Sequence, residues 1–232
     1  MVVLFLALIC APGLQAQDSS TTRPEPATTK PQDQSAPKPD DATRVVGVIP
    51  AFNVSNDINA PALTASQKFH LFTKTSKDPF NLIMPAINAV ILSSGGVSSG
   101  YGSGFGGFAK KYGSSIADSI SGNFFRLYAF PALLHEDPRY FRMDHGPVGK
   151  RTLHCFTSTV WTRTDDATFR FNWSKLLGTS ASAGLSNAYY PAENRGAKLT
   201  FSRIGLSYLM EVGTNSLKEF WPDLARKRKK KK

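Results

Sequence analysis

DPFNLIMPAINAVILSSGGVSSGYGSGFGGFAKKYGSSIADSISGNFFRLYAFPALLHEDPRYFRMDH, residues 78 to 145, is the stretch on which the fold turns. No charged side chain occurs from Pro79 to Ala109, and seven of the chain's eighteen glycines lie between Gly95 and Gly107. Asp78 followed by Pro79 is a helix start, with a capping carboxylate and a proline whose missing N–H is no loss in the first turn. Phe80 to Leu92 is almost wholly apolar and reads as a buried core helix kinked at Pro85. It is shorter than the roughly twenty residues that span a bilayer, and a membrane-inserted hairpin arm is its alternative. Gly96, Gly100 and Gly104 form a four-residue ladder, but each glycine weakens a soluble helix by about 1 kcal/mol against alanine. The middle of this run therefore reads as a loop and the next helix as beginning near Phe105. Ala109, Gly113, Ala117 and Ser121 then make a small stripe beside a large one of Tyr112, Ile116, Ile120 and Phe124, which is the pattern of a tightly packed helix. Pro131 and the polar knot His135 to Arg142 are expected to end it.

N-terminal to this stretch, Met1 to Ala16 reads as a signal peptide. Residues 17–43 are rich in Pro, Thr and Asp, hold no aliphatic residue larger than alanine, and read as a disordered linker. The helical domain is placed at 44–225 and a basic tail at 226–232. Val45 to Ile49, stopped by Pro50, suits an edge strand or an extended segment. Thr64 is a candidate cap for a helix with Phe69 and Phe72 on its apolar edge, ending near Ser76. Once the signal is removed, Cys155 is the sole cysteine; it makes no internal disulfide and reads as a small buried hydrophobe.

C-terminal to it, Lys150 to Arg163 is expected to be helical, although its threonines would also suit a strand, and Thr162 to Asp166 is turn-like. Asn172 caps another helix. Its large edge is Trp173, Leu177, Ala181, Leu185 and Ala188; its small edge is Ser174, Gly178, Ser182 and Ser186. Tyr189-Tyr190-Pro191 ends it. A last helix runs from about Ser202 to Pro222. Two ladders of small residues imply helices packed together at short distance. The expected fold is mainly α: a single compact bundle of about five or six helices packed through Gly/Ala/Ser faces, with an irregular N-terminal segment.

Three patterns bear on chemistry. Gly96-Val97-Ser98-Ser99-Gly100 matches the nucleophile elbow, for which Asp137 and His145 or His154 would complete a triad. His135, Asp137, His145 and His154 lie within twenty residues and are candidate metal ligands. Gly102, Gly104 and Gly107 match G-x-G-x-x-G, which needs a preceding strand. None comes with the sheet, ligand spacing or strand that its chemistry requires. The knot reads first as a hydrogen-bonded corner, and no cofactor is expected.

The formal net charge is +11, of which Arg226, Lys227, Arg228, Lys229, Lys230, Lys231 and Lys232 supply seven with no acid among them. Phe220 and Trp221 just before them resemble an interfacial anchor. Together these are the candidate surface-binding residues. In an exported protein they point to a membrane or an anionic envelope polymer, not to nucleic acid. Ile49 to Val54, Lys74 to Phe80, Leu134 to Phe141, Thr162 to Asp165, Leu185 to Pro191 and Lys218 to Asp223 resemble a group of uncharacterised exported proteins of acidobacterial-type soil bacteria. That resemblance implies export and one compact domain, and no site residues. The expected function is that of a non-enzymatic cell-envelope protein, periplasmic or associated with the outer membrane. The alternatives are a hydrolase using Ser98 or a metal near His135, Asp137 and His145, and a scaffold for another envelope protein.

Overall fold

Short strands bring the chain in. The computed structural model describes residues 44–45, 49–94 and 99–229. Strands β1 (Arg44–Val45) and β2 (Ile49–Pro50) pair antiparallel, and β3 (Val54–Ser55) follows. Helix α1 (Ala65–Ser76) starts at Thr64, whose hydroxyl accepts from Gln67 N while the Gln67 side chain accepts from Thr64 N. Such a reciprocal cap is worth about 1 kcal/mol. Helix α2 (Pro79–Ser94) starts at Asp78, whose carboxylate accepts from Phe80 N at 2.9 Å.

Helix α3 (Gly104–Asn123) begins one residue before the expected Phe105, after Gly102 and Gly104 turn with φ of +80° and +70°. Gly107 lies so close under that turn that a Cβ would stand 2.2 Å from the Gly102 carbonyl oxygen. Helical backbone then continues through a π turn, Phe124–Ala129, into α4 (Phe130–Leu134). Pro131 therefore does not end this run. In the wider π turn Phe130 N donates to Phe125 O, one residue further back than in an α-helix, and the proline ring escapes the carbonyl that would block it. The stop is His135, in the left-handed conformation at φ 54°.

The knot that follows is a corner. Its strand β4 (Tyr140–Phe141) pairs parallel with β3. Asp137 N donates to Arg163 O at 2.8 Å, and Asp165 N to His135 O at 2.9 Å. Helix α5 (Val148–Val160) stops before the expected Arg163, because Trp161–Arg163 forms strand β5, antiparallel to β6 (Phe169–Phe171). Here the strand preference of the threonine-rich segment wins once β6 offers a partner. Helix α6 (Trp173–Tyr189) is capped by Asn172, which accepts from Lys175 N at 2.9 Å, and ends ahead of Pro191. Helix α7 (Ala197–Lys229) starts earlier than Ser202 and passes through Pro222. Arg151 on α5 grips both sides of that proline, donating to Glu219 O at 2.6 Å and to the Asp223 carboxylate.

The described residues belong to one compact unit, Pro39–Lys232. Helix α2 lies along α3; the run from α3 to α4 packs against α1 and α6; α7 covers α6 and α5. The small stripes meet as expected. Ser121 Oγ and Ser182 Oγ are 3.0 Å apart, and a Cβ on Gly178 would stand 3.1 Å from the Phe125 carbonyl group. One expectation is overturned. Among its described side chains, helix α2 is not a buried core helix: Ala89 is covered, while Leu82, Ile83, Met84, Ile87 and Val90 are exposed.

Close packing of α6 against the π turn predicts a contrast between two glycines. Gly178→Ala should destabilise by about 1–3 kcal/mol, because besides Arg126 Cγ the new methyl meets the Phe125 carbonyl group, which is backbone and cannot move aside. Gly184→Ala, on the same helix but facing open space, should stabilise by up to about 1 kcal/mol. Denaturant unfolding of the two variants checks both signs.

Candidate functional site

The interior is polar. Among the described residues Lys68, Glu136, Asp137, Asn215 and Glu219 are at most 2 % exposed, whereas Leu209 and Met210 of α7 are each 66 % exposed. Sequence periodicity explains how. Lys175, Thr179, Ser182 and Ser186 recur on one face of α6 and are all buried; Trp173, Leu177 and Leu185 point the other way and are exposed. On α7, partly buried Glu211 and buried Asn215 and Lys218 form a similar row on the cavity, with Leu206, Leu209 and Leu217 outward. On α5, Arg151, Cys155 and Thr159 are buried, while Leu153, Phe156 and Val160 are exposed.

Most buried charges are fully engaged. Lys68 Nζ donates to Asp165 at 2.7 and 2.9 Å and to Pro131 O at 3.2 Å. Glu136 accepts from Arg170 Nε at 3.0 Å and from Ser174 N at 2.8 Å. Glu219 accepts from Arg151 Nε at 2.9 Å, Tyr140 Oη at 2.8 Å and Met143 N at 3.2 Å. Burial first, then the Cys155 and Glu219 neighbours, push the Tyr140 phenol well above its ordinary pKa, so it stays a donor. Asp118 is a further buried acceptor, for the hydroxyls of Tyr189 and Tyr190.

A cavity of about 330 Å³ opens between the π turn, α6, α7 and the corner. Its wall differs from the rest of the interior. Lys175 Nζ stands 3.5 Å from Glu211 Oε1 and makes no hydrogen bond. Ser174 Oγ, Asn215 Oδ1 and Thr75 Oγ1 line the same cavity and are also without a hydrogen-bond partner in the protein. Lys218 Nζ donates to Asn53 Oδ1 at 2.9 Å, and Arg126 Nε to Gly122 O at 3.1 Å. Burial pushes the Lys175 ammonium down to about 8; Glu211 opposes this, while Arg126 and Lys218 add to it. Burial lowers Lys218 as well. For Glu211, burial acts upward, but Lys175, Lys218 and Arg126 together outweigh it and hold the carboxyl below its ordinary value.

The residues singled out from sequence are placed otherwise. Ser98 lies outside the described residues, so the elbow is not part of this geometry. Asp137 is locked into Arg139 by contacts of 2.6 to 3.1 Å. His135 and His145 are exposed, the latter beside Asp144 at 3.3 Å, and His154 Nε2 lies 2.8 Å from Phe141 O. Among the described residues no three His, Cys, Asp or Glu side chains converge as metal ligands. Among the described residues the candidate metal set is therefore not assembled: Asp137 is held by Arg139, His154 by Phe141 O, and His135 and His145 are exposed. Gly102, Gly104 and Gly107 follow a 3-10 turn, not the strand a dinucleotide site requires. Cys155 is wholly buried, as expected. Phe220 is partly buried under the Arg151 guanidinium, 4.6 Å from its ring centre, and Trp221 is partly exposed. Arg226, Lys227, Arg228 and Lys229 continue the α7 backbone; Lys230, Lys231 and Lys232 lie outside the described residues. Arg126, Lys175, Glu211 and Lys218 were not singled out from sequence. The polar row on α7, set in an otherwise apolar-edged helix, is the signal that marks two of them.

Lys175 makes folding depend on pH. Its folded value of about 8 lies below the ordinary 10.5, so between these pH values the unfolded chain holds a proton that the folded chain has released. Stability should rise across that window, and the penalty, on the order of 3 kcal/mol, is fully present below pH 8. Lys175→Met should raise stability at pH 7 and flatten the rise above pH 8, because Glu211 keeps Lys218 and Arg126. Thermal melts of both proteins from pH 6 to 10 measure this. No protein-family model, curated protein or solved structure matches the chain, and the functional reading rests on this geometry.

Proposed function

We propose that the protein is a non-enzymatic, exported cell-envelope protein that lies against a lipid surface through the outward apolar faces of its helices. The observation that carries this reading is the orientation of α6. Ser174, Lys175, Gly178, Ser182 and Ser186 are buried, while Trp173, Leu177 and Leu185 are 50, 39 and 46 % exposed. In water both halves of that arrangement oppose folding: apolar area left wet forgoes about 25 cal/mol per Å², and buried ions lose hydration worth several kcal/mol each. In contact with lipid, the outer half ceases to be unfavourable. Helix pairing through small residues with polar groups turned inward is how helices associate where water supplies no driving force. Among the described residues no helix is long and apolar enough to cross a membrane. The proposed contact is therefore made by helix faces, with the basic run Arg226 to Lys232 adding attraction to anionic headgroups.

Fractionation of native cells tests this. The protein should sediment with membranes, resist a high-salt wash and come off in detergent. A Leu177→Ser, Leu185→Ser double variant should bind vesicles about tenfold more weakly. Deleting residues 226–232 should weaken binding to anionic vesicles at low salt and have little effect at 1 M salt, where screening is nearly complete. A protein recovered in the soluble fraction at low salt overturns the proposal. So does a stoichiometric protein partner covering the α6 face, which would make the chain a scaffold.

A further inference from the structure

We infer that the cavity between the π turn, α6 and α7 is a binding site for a phosphate group, free or carried on a small headgroup. Four observations converge on it. The first is charge. Arg126, Lys175 and Lys218, from three separate elements, surround one carboxylate, that of Glu211, and all four line the cavity. This leaves a local excess of two positive charges, which matches a phosphate carrying −1.5 to −2 near neutral pH. Elsewhere among the described residues, carboxylates meet a cation of their own: Asp165 meets Lys68, Asp137 meets Arg139, Glu136 meets Arg170, and Glu219 meets Arg151, which also reaches Asp223.

The second is hydrogen bonding. Lys175 is only 6 % exposed; its ammonium stands 3.5 Å from Glu211 and 5.0 Å from the centre of the Tyr208 ring, but makes no hydrogen bond. Ser174 Oγ on the same wall is likewise unpartnered and can donate to an anion. Native proteins leave few buried polar groups without a hydrogen bond. Both residues line the cavity, where a ligand would satisfy them. The third is size. At about 330 Å³ the space is at the small end of ligand pockets and is enough for a phosphate with a short polar substituent. The fourth is rigidity. Gly178 locks α6 onto the π turn that carries Arg126, and a Cβ there would meet Arg126 Cγ at 3.0 Å. The Arg126 guanidinium is held by donating to Gly122 O at 3.1 Å and Ser207 Oγ at 3.3 Å, and preorganised charges bind with less reordering cost.

Equilibrium dialysis of the full chain at pH 7 tests this, with labelled inorganic phosphate in one arm and glycerol 3-phosphate in the other. One equivalent should bind, and Lys175→Met and Arg126→Gln should each weaken binding at least tenfold. Lys150→Met, on the exposed side of α5, should leave binding unchanged. Because Lys175→Met is expected to fold more stably than the parent, its loss of binding cannot come from unfolding. Tighter binding of glycerol 3-phosphate identifies a headgroup as the source, and equal binding identifies the free ion. Absence of saturable binding in both arms overturns the inference, as does binding that Lys175→Met leaves intact. Neither result bears on membrane association, which is read by fractionation.

Discussion

The approach of α6 to the helical run from Gly104 to Leu134 governs the rest of the molecule. Gly178 lies over the Phe125 carbonyl, and Ser182 meets Ser121 across 3.0 Å. Backbones this close leave no room for a leucine or tryptophan between them, so the large edge of α6 is forced to the opposite side. The π turn belongs to the same constraint. It widens the run where α6 presses on it, carries Phe124 and Phe125 into contact with each other at 5.3 Å, and sets Arg126 facing α6. Packing, not hydrophobicity, thus decides which residues are interior.

The polar corner from His135 to Arg142 is the second support. It joins β3 to the β5–β6 hairpin and sends its acids inward, Glu136 to the start of α6 and Asp137 to Arg139. Arg139 and Arg163 both stack on the Phe141 ring, at 5.3 and 5.0 Å, and their guanidinium groups donate outward to Pro61 O and Ala60 O. Planar, multiply donating arginine suits this work better than lysine would. The corner therefore orders the irregular segment before α1, which has little apolar area of its own to bury.

What was legible in the sequence was local. Thr64, Asp78 and Asn172 cap helices because a side chain two or three residues from a free N–H needs no tertiary information. The small stripes were legible because their period is that of the helix that carries them. Pro131 and Pro222 misled because whether a proline ends a helix depends on its neighbours: a π turn ahead of the first, Arg151 across the second. The stripes also left their direction open. Periodicity says that α6 and α2 have two faces, not which one the protein covers, and α2 was placed inside on apolar content alone. The histidines looked like a site because they are near one another in sequence, and the fold separates them. The cavity residues look like nothing in sequence, since Arg126, Lys175 and Lys218 lie far apart and belong to no motif.

The polar interior and the apolar exterior are two sides of one arrangement. A helix whose inward row is Glu211, Asn215 and Lys218 has an unremarkable mean hydropathy, because the average counts both rows together. A surrounding medium meets mainly the outward row, here Leu206, Leu209 and Leu217. Averaged hydropathy therefore measures the wrong quantity for such a helix, and no helix of this kind need resemble a membrane span in order to present a continuous apolar face. The inward row, freed from filling a hydrophobic core, is then available to hold charge. An excess of cations in the cavity raises the free energy of the unliganded fold, and an anion bound there lowers it. The same inversion that turns leucine outward thus allows a basic binding site to stand at the centre of the bundle.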